Sequence, residues 1–176
     1  MTSAIVLPHL DKWAQGHITA ITKATTQEEF DSAFDGFVAA DPDVDITFNG
    51  VKISRQEYKN RLQTEAFRET GAEVVFNGTV QVPGDDGSNV PSPYVGEAGI
   101  FYTAILAEGI LVLGAPQERQ VTSSINIFVK NDPSLKPPTL PGGIRGFFDP
   151  RRAFRVNQVF LDRANTASDS SAGTST

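Results

Sequence analysis

FDSAFDGFVAADPDVDITFNGVKISRQEYKNRL, residues 30–62, changes its hydrophobic period twice, and the two changes decide the fold. Its first part is helical: Phe30, Phe34, Phe37 and Val38 recur at the spacing of one buried helix face. Just upstream, Thr26 and Glu29 have capping-box spacing, which starts this helix after Thr25. Pro42, which has no N–H to give, stops it. From Asp43 the period falls to two, with Val44, Ile46 and Phe48 on one side and Asp43, Asp45 and Thr47 on the other. Asn49-Gly50 is a turn dipeptide. Ser54 and Glu57 repeat the capping-box spacing, and Ile53 is placed to staple onto Tyr58, so a third, short helix is predicted over 54–66.

The acidic run inside this stretch, Asp41-Pro42-Asp43-Val44-Asp45, has the spacing that opens a calcium loop. Such a loop wants glycine at its sixth position and a bidentate Glu at its twelfth. Those places hold Ile46 and Lys52. A lysine repels the cation, so the triplet reads as the polar side of a helix-to-strand junction, and no metal is expected.

Working outward, Leu10, Trp13, Ala14, His17, Ile18 and Ile21 form one apolar stripe and predict a first helix. After Gly71 the pattern is strand-like. AEVVFNGTVQV (72–82), EAGIFYTAIL (97–106), QVTSSINIFVK (120–130) and AFRVNQVFLD (153–162) are rich in β-branched and aromatic residues. The turn-forming clusters PGDDGSNVPSP, EG and KNDPSLKPPTLPGGIRGFFDP separate them. Strands of this length suggest a large, curved, mainly antiparallel sheet. The Pro/Gly-rich connection 131–150 is longer than most hairpin loops. Residues 164–176 form a Ser/Thr-rich tail with the composition of a disordered segment.

With 176 residues, the chain suits one domain with a sizeable core. It has no cysteine, which excludes disulfides, thiolate metal sites and a Cys nucleophile. No apolar run approaches the roughly 20 residues that span a bilayer. The start lacks a basic leader, and Pro8 interrupts its apolar stretch, so a cytoplasmic location is expected. The net charge of −6 argues against nucleic acid and anionic membranes as partners. P-loop, phosphate-binding glycine loop and nucleophile-elbow motifs are absent from the sequence.

Three helices with a short strand between the second and third, followed by long strands, is the element order of a cone-shaped α+β barrel. The segment 30–62 resembles the helix–strand–Asn-Gly–helix segment of the nuclear-transport-factor-two-like (SnoaL-like, cystatin-like cone) superfamily. DPRRAFRVNQVFLDRAN, 149–165, is similar to the last strand of fungal SnoaL-like members. The likeness runs over roughly residues 8–163. It implies a single α+β domain, 1–163, with three N-terminal helices packed in the concave face of a strongly curved, mainly antiparallel sheet, around a deep apolar pocket. The superfamily includes polyketide cyclases, dehydratases and ketosteroid isomerases, which work without cofactors, and also non-catalytic dimerising modules. In its enzymes a His or Asp, often with a Tyr, lines the pocket. Scytalone dehydratase needs two pocket histidines, and this chain offers one in the first helix.

Six residues are the candidates for such a pocket. His17 lies on the first helix's stripe, where a neutral imidazole could shuttle a proton; the plainer reading is a core-edge histidine. Tyr102 shares a strand face with Ile100 and Ala104, and its hydroxyl could donate to an oxyanion or simply be buried. Trp13 and Phe34 would supply apolar wall. Asn126 and Gln158 interrupt hydrophobic strands, and each faces either a ligand or solvent depending on register. Arg151, Arg152 and Arg155 read as an anion clamp or, more simply, as partners of Asp149 and Asp162. The expected function is binding of a small apolar molecule, with isomerase, cyclase or dehydratase chemistry by His17 and Tyr102. The contrasting reading is a dimerising module with a filled core. A homodimer is expected because Phe101, Thr103 and Ile105 give the sheet a second face that the helices cannot cover.

Overall fold

The computed structural model describes residues 7–66, 69–87, 90–112, 115–138 and 148–164. The elements run α1 (Leu10–Lys23), α2 (Gln27–Phe37), β1 (Asp45–Phe48), β2 (Val51–Lys52), α3 (Arg55–Ala66), β3 (Glu69–Asp85), β4 (Pro91–Val112), β5 (Ala115–Asn131) and β6 (Arg151–Ala164). The architecture is α+β, with three helices against a six-stranded sheet in the order β2-β1-β6-β5-β4-β3. The sheet is open. β2 and β3 are its two edges, so it does not close into the barrel that the resemblance implies. All its pairings are antiparallel except β1 with β6.

Most of the segment that decides the fold behaves as its chemistry dictates, but α2 ends at Phe37, short of Pro42, because Val38 turns extended and bridges to Ala153 of β6. Thr26 Oγ1 accepts from Glu29 N at 3.2 Å while Glu29 reaches back to Thr26 N, a complete capping box at the start of α2. At α3 only half of the box forms. Ser54 Oγ accepts from Glu57 N, but the Glu57 carboxylate turns outward to Arg61 one turn along. Asn49 and Gly50 have φ of 50° and 79°, the left-handed pair that a two-residue hairpin between β1 and β2 requires. The acidic triplet is used locally: Asp41 accepts from Asp43 N, and Asp45 pairs with Lys52 at 2.9 Å. The lysine that would repel calcium is thus the carboxylate's own partner.

Alternation along β4, β5 and β6 gives the sheet two distinct faces. Ala98, Ile100, Tyr102, Ala104 and Leu106 of β4 are buried, as are Val121, Ser123, Ile125, Ile127 and Val129 of β5. α1 brings Leu10, Trp13, Ala14, Ile18 and Ile21 to that face, and α2 brings Phe30, Phe34 and Phe37. The other face exposes Val75, Phe101, Ile105, Val159 and Leu161.

Two turns fall elsewhere than the sequence predicts. Glu108-Gly109 lies inside β4, at a shift in register against β5, because the following Ile110, Leu111 and Val112 continue the strand. The turn after β3 is shorter than PGDDGSNVPSP, since both strands extend into that cluster. Gly96 makes this possible. Its φ is 121°, and a Cβ there would lie 2.2 Å from Val82 O, so the bulge beside it admits only glycine. The expected tail lies outside the described residues from 165 onward, as does 139–147 of the long connection. On its described flanks, Asp132 N donates to Pro150 O at 2.8 Å, bringing β5's end beside β6's start.

Candidate functional site

The helices do not fill all of the space over the inner face. Ile18, Ile21 and Thr22 of α1, Phe37 of α2, and Tyr58 and Leu62 of α3 face Tyr102, Ala104, Leu106, Val121, Ile125, Gln158 and Phe160 of the sheet across a cavity of about 40 Å³. That is room for about three waters. The walls are apolar except for Thr22, whose hydroxyl donates to Ile18 O, and for Tyr58, Tyr102 and Gln158 of α3, β4 and β6, a group that Ser123 of β5 joins by a hydrogen bond.

Gln158 is at the centre of this group and is fully buried. Its Oε1 accepts from the Tyr58 hydroxyl at 2.7 Å, and its Nε2 donates to Ser123 Oγ at 2.9 Å and to the Tyr102 hydroxyl oxygen at 3.3 Å. Ser123 Oγ passes its own proton to Val159 O at 3.1 Å. The amide's two donors are therefore both used, and it acts as the hub that orients two phenols. Burial pushes the Tyr58 hydroxyl well above its usual pKa of 10.0. Burial also raises Tyr102, although hydrogen bonding with Ser123 and Gln158 holds back the rise. Both phenols are thus neutral donors rather than bases. With the Ser123 proton committed to Val159 O, the Tyr102 hydroxyl donates to Ser123 Oγ, and rotation about its C–O bond would redirect that hydrogen to an acceptor in the cavity.

His17 borders a different space. It lines an open groove of about 760 Å³ with Trp13, Gly16, Ala20, Ser32, Ala33 and Asp149 among its walls. Its ring lies 4.5 Å from Trp13 and 5.7 Å from Phe37, and a Cβ on Gly36 would come within 3.1 Å of it. Burial lowers its pKa to about 4, against the opposing pull of Asp149 and of a hydrogen bond to the Ala33 carbonyl. Beneath Trp13 sits Arg151, fully buried, with its guanidinium 5.4 Å from the indole ring. Arg151 grips Asp149 through both Nε (2.9 Å) and Nη2 (2.7 Å) and donates to Pro8 O at 2.7 Å. Burial alone would raise the Asp149 carboxyl, but the bonds and charge of Arg151 hold it below its usual value.

The six expected pocket residues therefore divide. Tyr102 and Gln158 line the cavity together. Trp13 and His17 face the groove, because Ile18 lies about 100° round α1 from His17 and takes the cavity side instead. Phe37, which lines the cavity, also contacts both groove rings and is the partition between the two spaces. Phe34 is buried toward α3, against Tyr58 at 5.9 Å and below Arg55 at 4.9 Å, and does not line the cavity. Asn126 is exposed on the opposite face of the sheet, being out of phase with Ile125 and Ile127. The arginines are structural: Arg151 pairs with Asp149, Arg152 binds backbone carbonyls including Asp35 O, and Arg155 pairs with Glu97. Asp162, expected to serve them, instead pairs with Arg119 at 3.4 Å.

Sequence reasoning missed Tyr58, Ser123 and Phe37. Ser123 could have been found by parity, as the small polar residue in phase with Val121 and Ile125. Among the described residues no group of three or more His, Cys, Asp or Glu is placed to hold a metal, and no helix is long and apolar enough to cross a membrane.

The fold and site define an α+β helix-on-sheet domain with a neutral, amide-centred cavity. No protein-family model matches the chain, and no curated protein matches it by sequence. Among solved structures it is similar to an NTF-2-like protein of unknown function from Pseudomonas aeruginosa. The identity is 12%, over 85% of this chain and 96% of that one, with a TM-score of 0.42.

Proposed function

We propose that the protein binds a small apolar molecule carrying one hydrogen-bond acceptor, with the apolar body between α1, α3 and the sheet and the acceptor on the Tyr102 hydroxyl. The observation that carries this reading is the hydrogen-bonded group of Tyr58, Tyr102 and Gln158, braced by Ser123, at the wall of a mainly apolar cavity. A core built only for packing would place aliphatic residues here; these four polar groups instead satisfy one another, and one orientable donor borders open space. On this reading the sheet curves round the helices as the cone-shaped resemblance implies, and the neutral phenols select a ketone, ester or ether over a carboxylate.

Isomerase, cyclase or dehydratase chemistry shared by His17 and Tyr102 does not accompany this reading, since the two border separate spaces on either side of Phe37. Calorimetric titration with butanone tests the proposal. Saturable binding should weaken about tenfold in Tyr102→Phe, the worth of one hydrogen bond. Equal binding by that variant, or none by the wild type, would refute it.

A second reading concerns the other face of the sheet. We propose a homodimer through the face that exposes Val75, Phe101, Ile105, Val159 and Leu161, since the helices cover only the opposite side. Light scattering should give twice the chain mass of 19.0 kDa, and Phe101→Lys should return the monomer. A monomer in the wild type at tens of micromolar would exclude the dimer.

A further inference from the structure

The cavity at Tyr102 is too small for a typical ligand pocket, which holds about 300–1,000 Å³. It has a neighbour. A cleft of about 420 Å³ opens between the last turns of α3 and the end of β6, lined by Phe48, Asn49, Arg61, Thr64 and Asp162. Leu62 and Phe160 line both spaces, so these two side chains are all that both walls have in common. Neither is fully buried.

We propose that the cleft is a second subsite of the same ligand site, with Leu62 and Phe160 as the partition that sets how long a ligand can be. This rests on the ligand-binding reading above and adds the ligand class: an elongated, neutral amphipath, its acceptor end at Tyr102 and its chain passing between Leu62 and Phe160 into the cleft.

The two sides of the partition are held differently. On the β6 side, the Asn49 side chain clamps the backbone of Phe160, accepting from its N–H at 2.7 Å and donating to its carbonyl at 3.0 Å. Phe160 also packs on Phe48 at 5.6 Å. On the α3 side, Leu62 follows Tyr58 by one turn in a helix that is otherwise polar, QEYKNRLQT over 56–64. The ligand's path therefore opens on the Leu62 side. The charges at the mouth are already matched, since Arg61 pairs with Glu57 and Asp162 with Arg119. A neutral chain gains more there than a charged head.

The test is a series of straight-chain methyl ketones, from butanone to 2-undecanone, titrated by calorimetry against the wild type, Thr64→Trp and Phe160→Ala. Thr64 is exposed on α3, so the tryptophan blocks the cleft without entering the core. Affinity should rise about fourfold per added methylene until the cleft is filled. Thr64→Trp should abolish that gain while leaving butanone unchanged, and Phe160→Ala should bind the long ketones at a faster rate. If butanone binds but length brings no gain, or if Thr64→Trp binds 2-undecanone like the wild type, the second subsite is wrong and the Tyr102 site stands. If no ketone of any length binds, both are wrong.

Discussion

On one side of the Phe37 ring, four neutral side chains satisfy one another around Gln158. On the other, a buried guanidinium grips a carboxylate below an indole and an imidazole. The groove contains the residues that look like chemistry in the sequence, His17 and Trp13, but the buried pair beside them, Arg151 with Asp149, is committed to joining α1 to the start of β6. The cavity contains nothing that titrates near neutral pH, but it keeps one orientable donor beside open space. On the proposed reading, the buried ion pair marks where the fold is tied together, and the neutral network marks where it receives a ligand. Each side can be perturbed separately.

The largest effect should come from the groove. Arg151→Met leaves the partly buried Asp149 without its partner; breaking a buried pair typically costs about 3–5 kcal/mol, and with Asp149 on the groove wall urea unfolding should show a loss of about 3 kcal/mol. A loss below 1 kcal/mol would mean that the pair does not tie the two elements together. On the cavity side, Gln158→Leu keeps the volume but removes the acceptor of Tyr58 and the donors to Tyr102 and Ser123. We expect a loss of about 2–3 kcal/mol. A neutral outcome would show that the four groups do not depend on one hub.

The next effect separates the two spaces by pH. His17 falls from 6.5 to about 4 on folding because it is buried. Between those values the unfolded chain binds a proton that the folded one refuses, so stability declines as pH drops from about 6.5 to 4 and is unaffected by His17 above that window. The shift corresponds to at most about 3 kcal/mol, and partial exposure brings the expected loss to about 2 kcal/mol. Thermal melts of His17→Phe against wild type isolate it: the variant should gain stability relative to the wild type on acidification through that window, whatever their difference at neutral pH. A constant difference would mean that the imidazole titrates normally. The smallest effect belongs to neither space. Asn126→Ser, on the exposed face, should change stability by no more than about 0.5 kcal/mol and leave ketone binding intact.

Much of the fold was legible because local chemistry settles it. Thr26–Glu29 capping, the period of two from Asp43 and the Asn49-Gly50 turn each admit one local structure, and together they give helix, strand, turn and helix; the helix end at Phe37, short of Pro42, was not legible, because it depends on Val38 pairing with Ala153 of β6. The site was harder to read. The stripe on α1 is wide, and its two edges meet different neighbours: Ile18 meets the sheet and His17 meets α2. A helical period cannot say which edge does which. Asn126 was legible in principle, since Ile125 and Ile127 flank it and an alternating strand must send it the other way. Tyr58 was not, because its acceptor lies 100 residues away on β6. Gly109 looked like a turn and proved to be at an irregularity inside a strand, because register against β5 depends on both strands.

The separation of the two spaces is tested most directly by NMR, following the side chains of Tyr102, Gln158 and His17 while butanone is titrated in. The account predicts saturable shifts at the Tyr102 ring and the Gln158 amide, with His17 still titrating near 4 in the bound protein. Shifts concentrated at His17, or a change in its titration on binding, would contradict it.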